Sequence, residues 1–252
     1  MIGVFDSGCG GLTVLAEIRK RMPSADLLYF GDTKNAPYGL RSAEELFQLT
    51  GNALAFLQKE GATRYVSACN SVSTSLALSL LDTLSLSHSQ IIEMVGPTVR
   101  SFRGSTERLG LVATVATIHS GIYQSAFRMI GKDIDAIALP ELAGAIEAGA
   151  RQEELDRIVN EALLEKTGAY DALVLACTHY PLAQESFRRA LGSETRIVNP
   201  AGAVADQVES SWSATEAGTG ALRFVISAES EPFRAFVRRF FPEDAARIEV
   251  IQ

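Results

Sequence analysis

The chain has 252 residues, 47% of them apolar and 21% charged, a balance that supports a packed core and excludes a disordered or fibrous chain. A formal charge of −7, with lysines and arginines scattered along the sequence, gives no electrostatic reason to expect nucleic acid as a partner. No stretch approaches the roughly 18 unbroken apolar residues of a membrane span, and Asp6 comes too early for a signal peptide. With three cysteines, an odd number and no export signal, a reducing, cytoplasmic setting is expected.

Along the chain, short β-branched runs alternate with longer amphipathic ones. Ile2–Phe5 reads as a buried strand, followed by Gly8-Cys9-Gly10-Gly11 and a helix from Leu12 to Arg21. The densest basic run, Arg19-Lys20-Arg21, reads as a solvated helix end. Asp26–Phe30 is a second strand, and Ser42-Ala43-Glu44-Glu45 has the capping-box spacing that opens a helix reaching Glu60. Arg64–Ala68 reads as a third strand and Ser71–Leu84 as one helix. Ile91–Val95, Leu109–Ala113, Ile134–Leu139 and Ala172–Ala176 continue the strands, and Ser213–Thr219 is a surface loop. Strands apolar on both faces and separated by helices predict an α/β fold with parallel sheets.

A weak long-range repeat adds to this. Ile2-Gly3-Val4-Phe5-Asp6-Ser7 aligns with Leu109-Gly110-Leu111-Val112-Ala113-Thr114, an offset of 107. Val66-Ser67-Ala68-Cys69-Asn70-Ser71 aligns with Val174-Leu175-Ala176-Cys177-Thr178-His179, an offset of 108. Two similar α/β halves follow, each with a cysteine at the C-terminal end of a strand, where open α/β sheets form ligand crevices.

A free cysteine is usually a buried small hydrophobe. At a strand-to-helix junction it also lies near a helix N-terminus, whose partial positive charge favours thiolate. Cys69 and Cys177 share that context; Cys9 has no such twin and reads as a packing residue. Asp6 fits a helix cap as well as a catalytic group, and His179 fits a structural role as well as acid/base work beside Cys177. Ser7–Gly11 and Asn70-Ser71 offer free N–H groups and hydroxyls to an anion. The phosphate-loop and dinucleotide glycine patterns are not met. No metal site is expected, because Cys177 and His179 are the only close Cys/His pair and a structural zinc needs four ligands.

Four motifs in order carry a resemblance. Phe5-Asp6-Ser7-Gly8 with Gly10-Gly11-Leu12-Thr13-Val14, Gly31-Asp32-Thr33 with Pro37-Tyr38-Gly39, Ala68-Cys69-Asn70, and Cys177-Thr178-His179-Tyr180-Pro181 resemble glutamate racemases, within the cofactor-independent aspartate/glutamate racemase superfamily. The resemblance implies two pseudo-symmetric doubly wound α/β domains with the site between them. Residues 1–95 plus about 205–252 would form the first and 96–204 the second. It implies catalytic Cys69 and Cys177, supported by Asp6, His179 and Glu147. Substrate contacts would come from Ser7, Pro37, Tyr38, Gly39, Asn70, Ser71, Thr114, Thr117 and Thr178.

The implied activity is interconversion of L- and D-glutamate without a cofactor, for peptidoglycan and cell-wall formation, in a cytoplasmic homodimer. Two alternatives stand beside it: action on another acidic amino acid such as aspartate, or a gyrase-binding regulator on the same fold. The chain departs from the family pattern at Ser71, at Val95-Gly96-Pro97-Thr98 and at Leu139-Pro140-Glu141-Leu142-Ala143-Gly144. These departures touch the hinge and the assignment of Glu147.

Overall fold

The structure is a computed structural model and describes residues 1–76, 78–244 and 247–251. β1 (Ile2–Asp6) leads into α1 (Leu12–Arg21), then β2 (Leu27–Gly31), α2 (Ala43–Lys59) and β3 (Arg64–Ser67). Two short helices, α3 (Asn70–Ser73) and α4 (Leu78–Thr83), precede β4 (Ile91–Ile92) and α5 (Val95–Arg100). The second series is β5 (Leu109–Ala113), α6 (Val115–Ser120), α7 (Ile122–Met129), β6 (Ile134–Ala138), α8 (Leu142–Glu147), α9 (Gln152–Ala162), β7 (Ala172–Ala176), α10 (Gln184–Leu191) and β8 (Arg196–Val198). The chain ends with α11 (Ala201–Trp212), β9 (Leu222–Ile226), α12 (Glu231–Phe240) and β10 (Ile248–Val250).

Ten strands form two sheets, ordered β10-β9-β2-β1-β3-β4 and β6-β5-β7-β8, and every pairing among the described residues is parallel. Each sheet is covered by helices on both faces. In the first, α1, α11 and α12 bury Leu15, Val204 and Phe233 on one side, while α2 buries Leu54 and Leu57 on the other. In the second, α8, α9 and α10 supply Ile146, Ile158 and Phe187, and α5 and α7 supply Val99 and Phe127. Each such fully buried side chain contributes about 1.5–3 kcal/mol of transfer free energy, which fixes the helices against the strands.

The repeat read from the sequence is a repeat of sheet topology. β1 lies between β2 and β3, with Ile2 opposite Arg64; β5 lies between β6 and β7, with Leu109 opposite Ala172. In both sheets the strand order reverses at these pairs, which opens a crevice beyond the strand ends. Asp6 and Cys69 follow one pair, Thr114 and Cys177 the other.

Two expected elements differ. The single helix over Ser71–Leu84 is broken: α3 ends at Ser73 and a turn follows (residue 77 lies outside the described residues). The run Ser71-Val72-Ser73-Thr74-Ser75 explains the break. Hydroxyls of Ser73, Thr74 and Ser75 donate to the carbonyls of Cys69, Ser71 and Val72, competing with the helix ladder. The strand expected over Ile91–Val95 stops at Ile92 because the Glu93 carboxylate accepts the Val95 and Gly96 N–H groups and starts α5. The loop after Ser213 is tied down by Asp26, whose carboxylate accepts the Thr219 and Ala221 N–H groups. Helix α11 runs unbroken through residue 205 and packs on α1 and α5.

Candidate active site

The two crevices face each other across one cavity of about 460 Å³. From the first sheet it is lined by Ser7, Pro37, Tyr38, Gly39, Cys69, Asn70 and Ser71; from the second by Thr114, Glu147, Cys177, Thr178 and His179. Asp6 and Thr117, both expected at the site, lie behind this wall. Thr117 is buried and its hydroxyl meets the Thr114 hydroxyl at 3.1 Å. Pro140, Gly144, Glu154 and Ile158 also border the cavity, a wall that the sequence did not reveal because none of them falls in a motif.

Asp6 holds the loop ahead of α1 through one carboxylate oxygen and leaves the other without a partner. Its Oδ2 accepts the Gly8 and Gly11 N–H groups at 3.1 and 3.0 Å, which holds the glycine loop in place ahead of α1. Its Oδ1 is buried without a partner. Burial raises the Asp6 carboxyl above the usual carboxylate range, opposed by the charge of His179 and by those two N–H groups. Cys69 caps α3, and burial together with the Asp6 charge pushes its thiol well above the ordinary value.

The neighbouring donors are held by residues from both halves. Asn70 Oδ1 accepts the Tyr123 hydroxyl at 2.6 Å, which turns Nδ2 into a buried amide donor with no protein partner. Ser71 Oγ and Thr114 Oγ1 stand 2.9 Å apart across the crevice. The Tyr38 hydroxyl donates to Asp32 Oδ2 at 2.5 Å, and Asp32 also accepts from Asn35 and Ser227. Asp32 thereby positions the Pro37-Tyr38-Gly39 segment, a role for which the Gly31-Asp32-Thr33 motif was the available signal.

On the second sheet, His179 Nδ1 lies 3.8 Å from Cys177 Sγ, and His179 Nε2 lies 2.8 Å from Glu147 Oε1. Burial works against a charged imidazole here, but contacts with Cys177, Cys9 and Glu147 outweigh it and hold the His179 pKa well above the ordinary value. Burial likewise opposes the Glu147 carboxylate, yet hydrogen bonds from His179 and Cys9 keep its pKa below the usual range. Cys9 is buried within the first core, as its packing reading required, but its Sγ is also 3.4 Å from Glu147 Oε1 and 3.7 Å from His179 Nε2. That placement was not legible in the sequence.

Gly10 makes the two halves fit. A Cβ there would stand 2.5 Å from Thr178 Oγ1 and 2.6 Å from His179 Cε1, closer than real atoms approach. Gly10→Ala is expected to cost about 1–3 kcal/mol by overpacking and to lower kcat/KM by displacing His179. Denaturant unfolding and kinetics on the same sample check this; unchanged values in both would show that the loop can retreat.

Two buried thiols at equivalent strand ends of matching parallel sheets border one cavity in an α/β fold. The sequence pattern of the Asp/Glu/Hydantoin racemase family matches residues 8–208. The chain belongs to that family and is an amino-acid racemase. It is 34% identical to a glutamate racemase of Desulforudis audaxviator over 98% of this chain and 97% of that one. It is 30% identical to a glutamate racemase of Aquifex aeolicus over 96% and 94% of the two chains. Among solved structures, a glutamate racemase isoform from Bacillus anthracis superposes with a TM-score of 0.86 at 29% identity, covering 100% of this chain and 96% of that one. No helix among the described residues is long and apolar enough to cross a membrane.

Proposed function

We propose that this enzyme interconverts L- and D-glutamate by a two-base mechanism in which Cys69 and Cys177 act on opposite faces of the substrate Cα. The observation that carries this reading is the pair of buried thiols at equivalent strand ends, bordering one cavity. One cysteine, as thiolate, takes the α-proton while the other, as thiol, returns one to the opposite face. Each thiol must be deprotonated before it can act as base. Asp6, with its unpartnered oxygen, accepts the proton of Cys69; His179 Nδ1 accepts that of Cys177, with the new imidazolium charge resting on Glu147. The carboxylate of the substrate, which carries the charge that develops at Cα, is held by Asn70 Nδ2 and the hydroxyls of Ser7, Ser71 and Thr178. The D-glutamate formed would serve peptidoglycan synthesis.

The test is α-proton washout in D2O, followed by NMR, from L- and D-glutamate separately and without added cofactor. Washout from both enantiomers with formation of the antipode is the expected result. Folded, reduced protein that exchanges neither would sink the reading for glutamate, and the same measurement with aspartate would then decide between the two acidic substrates.

A further inference from the structure

We propose that Cys9, Glu147 and His179 form a regulatory site for a divalent cation of the zinc class, which switches the racemase off by engaging the imidazole that serves Cys177. The three ligand atoms lie within 4.8 Å of one another. Around a tetrahedral zinc with bonds of about 2.0–2.3 Å, sulfur and nitrogen ligands stand roughly 3.5 Å apart and nitrogen and oxygen roughly 3.3 Å. The Cys9 Sγ separations of 3.4 and 3.7 Å already match, and the 2.8 Å hydrogen bond between His179 and Glu147 needs only a small opening. Thiolate, imidazole and carboxylate are the donor set zinc prefers, and three protein ligands leave the fourth position for water.

A second approach to Cys9 and Glu147 lies outside the substrate cavity. A second cavity of about 200 Å³ lies on the other side of Glu147 and is bordered by Cys9, Gly8, Thr33 and Ser230. Glu147 borders both cavities, Cys9 the second and His179 the first, so a cation entering from the second cavity reaches Cys9 and Glu147 first and does not pass Cys69.

The consequence for the enzyme follows from the imidazole. A cation on Nε2 displaces the hydrogen bond to Glu147 and leaves the ring's proton on Nδ1, facing Cys177. The Cys9 thiol proton is released to solvent on binding. Nδ1 then has no lone pair with which to take the Cys177 proton, and one of the two bases is lost.

The experiment titrates metal-free enzyme with Co²⁺, read by the thiolate-to-cobalt absorption band in the near ultraviolet, and with Zn²⁺, read by racemisation. The expected result is a saturable band, zinc inhibition reversed by a chelator, and retention of the band in an inactive Cys69→Ala/Cys177→Ala variant. That variant separates failure of this site from failure of the two-thiol reading. Cys9→Val, compared with its own metal-free rate, is expected to lose the band and to lose zinc inhibition over the range that inhibits the wild type, because one of the three protein ligands is gone. Cys9→Ser supplies the same comparison should the valine disturb packing. Absence of a band in the wild type, or inhibition equally strong in Cys9→Val, would overturn the proposal, the latter because zinc would then sit on the Cys69 and Cys177 thiols.

Discussion

Replacing either Cys69 or Cys177 by serine is expected to lower racemisation by about 10³-fold or more, since a hydroxyl of much higher pKa takes the place of a proton donor and acceptor. The two directions must fall together. Enantiomers have equal free energy in water, so the equilibrium constant is one and kcat/KM has to be the same from either side, even in a crippled variant. Any asymmetry between the thiols therefore shows in kcat and KM separately, never in their ratio. Isotope washout is more telling. With one thiol left, the enantiomer whose α-hydrogen faces it can still exchange with D2O and return with retained configuration, while the other cannot exchange. Cys69→Ser and Cys177→Ser should spare opposite enantiomers. Single variants that still racemise within about tenfold of the wild type would overturn the two-base reading.

The parts of this design that the sequence displayed are those set by local pattern. Apolar strands with reversed polarity at their ends, the capping box at Ser42 and Glu45, and the near-constant offset between the Asp6 and Thr114 segments and between Cys69 and Cys177 are all periodic or short-range signals. They yield two parallel sheets and bring the two cysteines to equivalent ends. The break in the helix after Ser73 was hidden because hydroxyl side chains act on carbonyls three or four residues away, a competition that apolar periodicity does not register. The polar neighbours of Cys9 were hidden for a different reason. Its partners are 138 and 170 residues away in the chain, and only the packing of Gly10 against Thr178 and His179 brings them together. Asn70 shows the same limit: its free amide exists because Tyr123, on α7 of the other half, takes the carbonyl oxygen.

The pairing of Glu147 with His179 sets the second large effect. His179→Asn keeps side-chain size and hydrogen bonding but cannot take up a proton, and is expected to lower kcat/KM by about 10²-fold. Glu147→Gln should cost less, about tenfold, and should do so with a characteristic pH dependence. The His179 pKa is raised above 6.5 in the folded protein by its partners, Glu147 among them. Removing the carboxylate lets it fall, so the neutral imidazole that takes the Cys177 proton is present at lower pH and the acid limb of the variant's rate profile moves down. Stability follows the same charges. A raised imidazole stabilises the fold fully below 6.5 and ceases to do so as pH climbs through its folded value; a lowered carboxyl stabilises above 4.5 and ceases as pH falls through its own. The difference in Tm between wild type and Glu147→Gln should thus be greatest between pH 4.5 and 6.5, shrink above 6.5 as pH climbs towards the raised value of His179, and shrink below 4.5. Unfolding curves across that range, run beside the rate profiles, test both halves. A pH-independent offset in Tm would mean that Glu147 contributes packing rather than charge, and an unmoved acid limb would remove it from the support of His179.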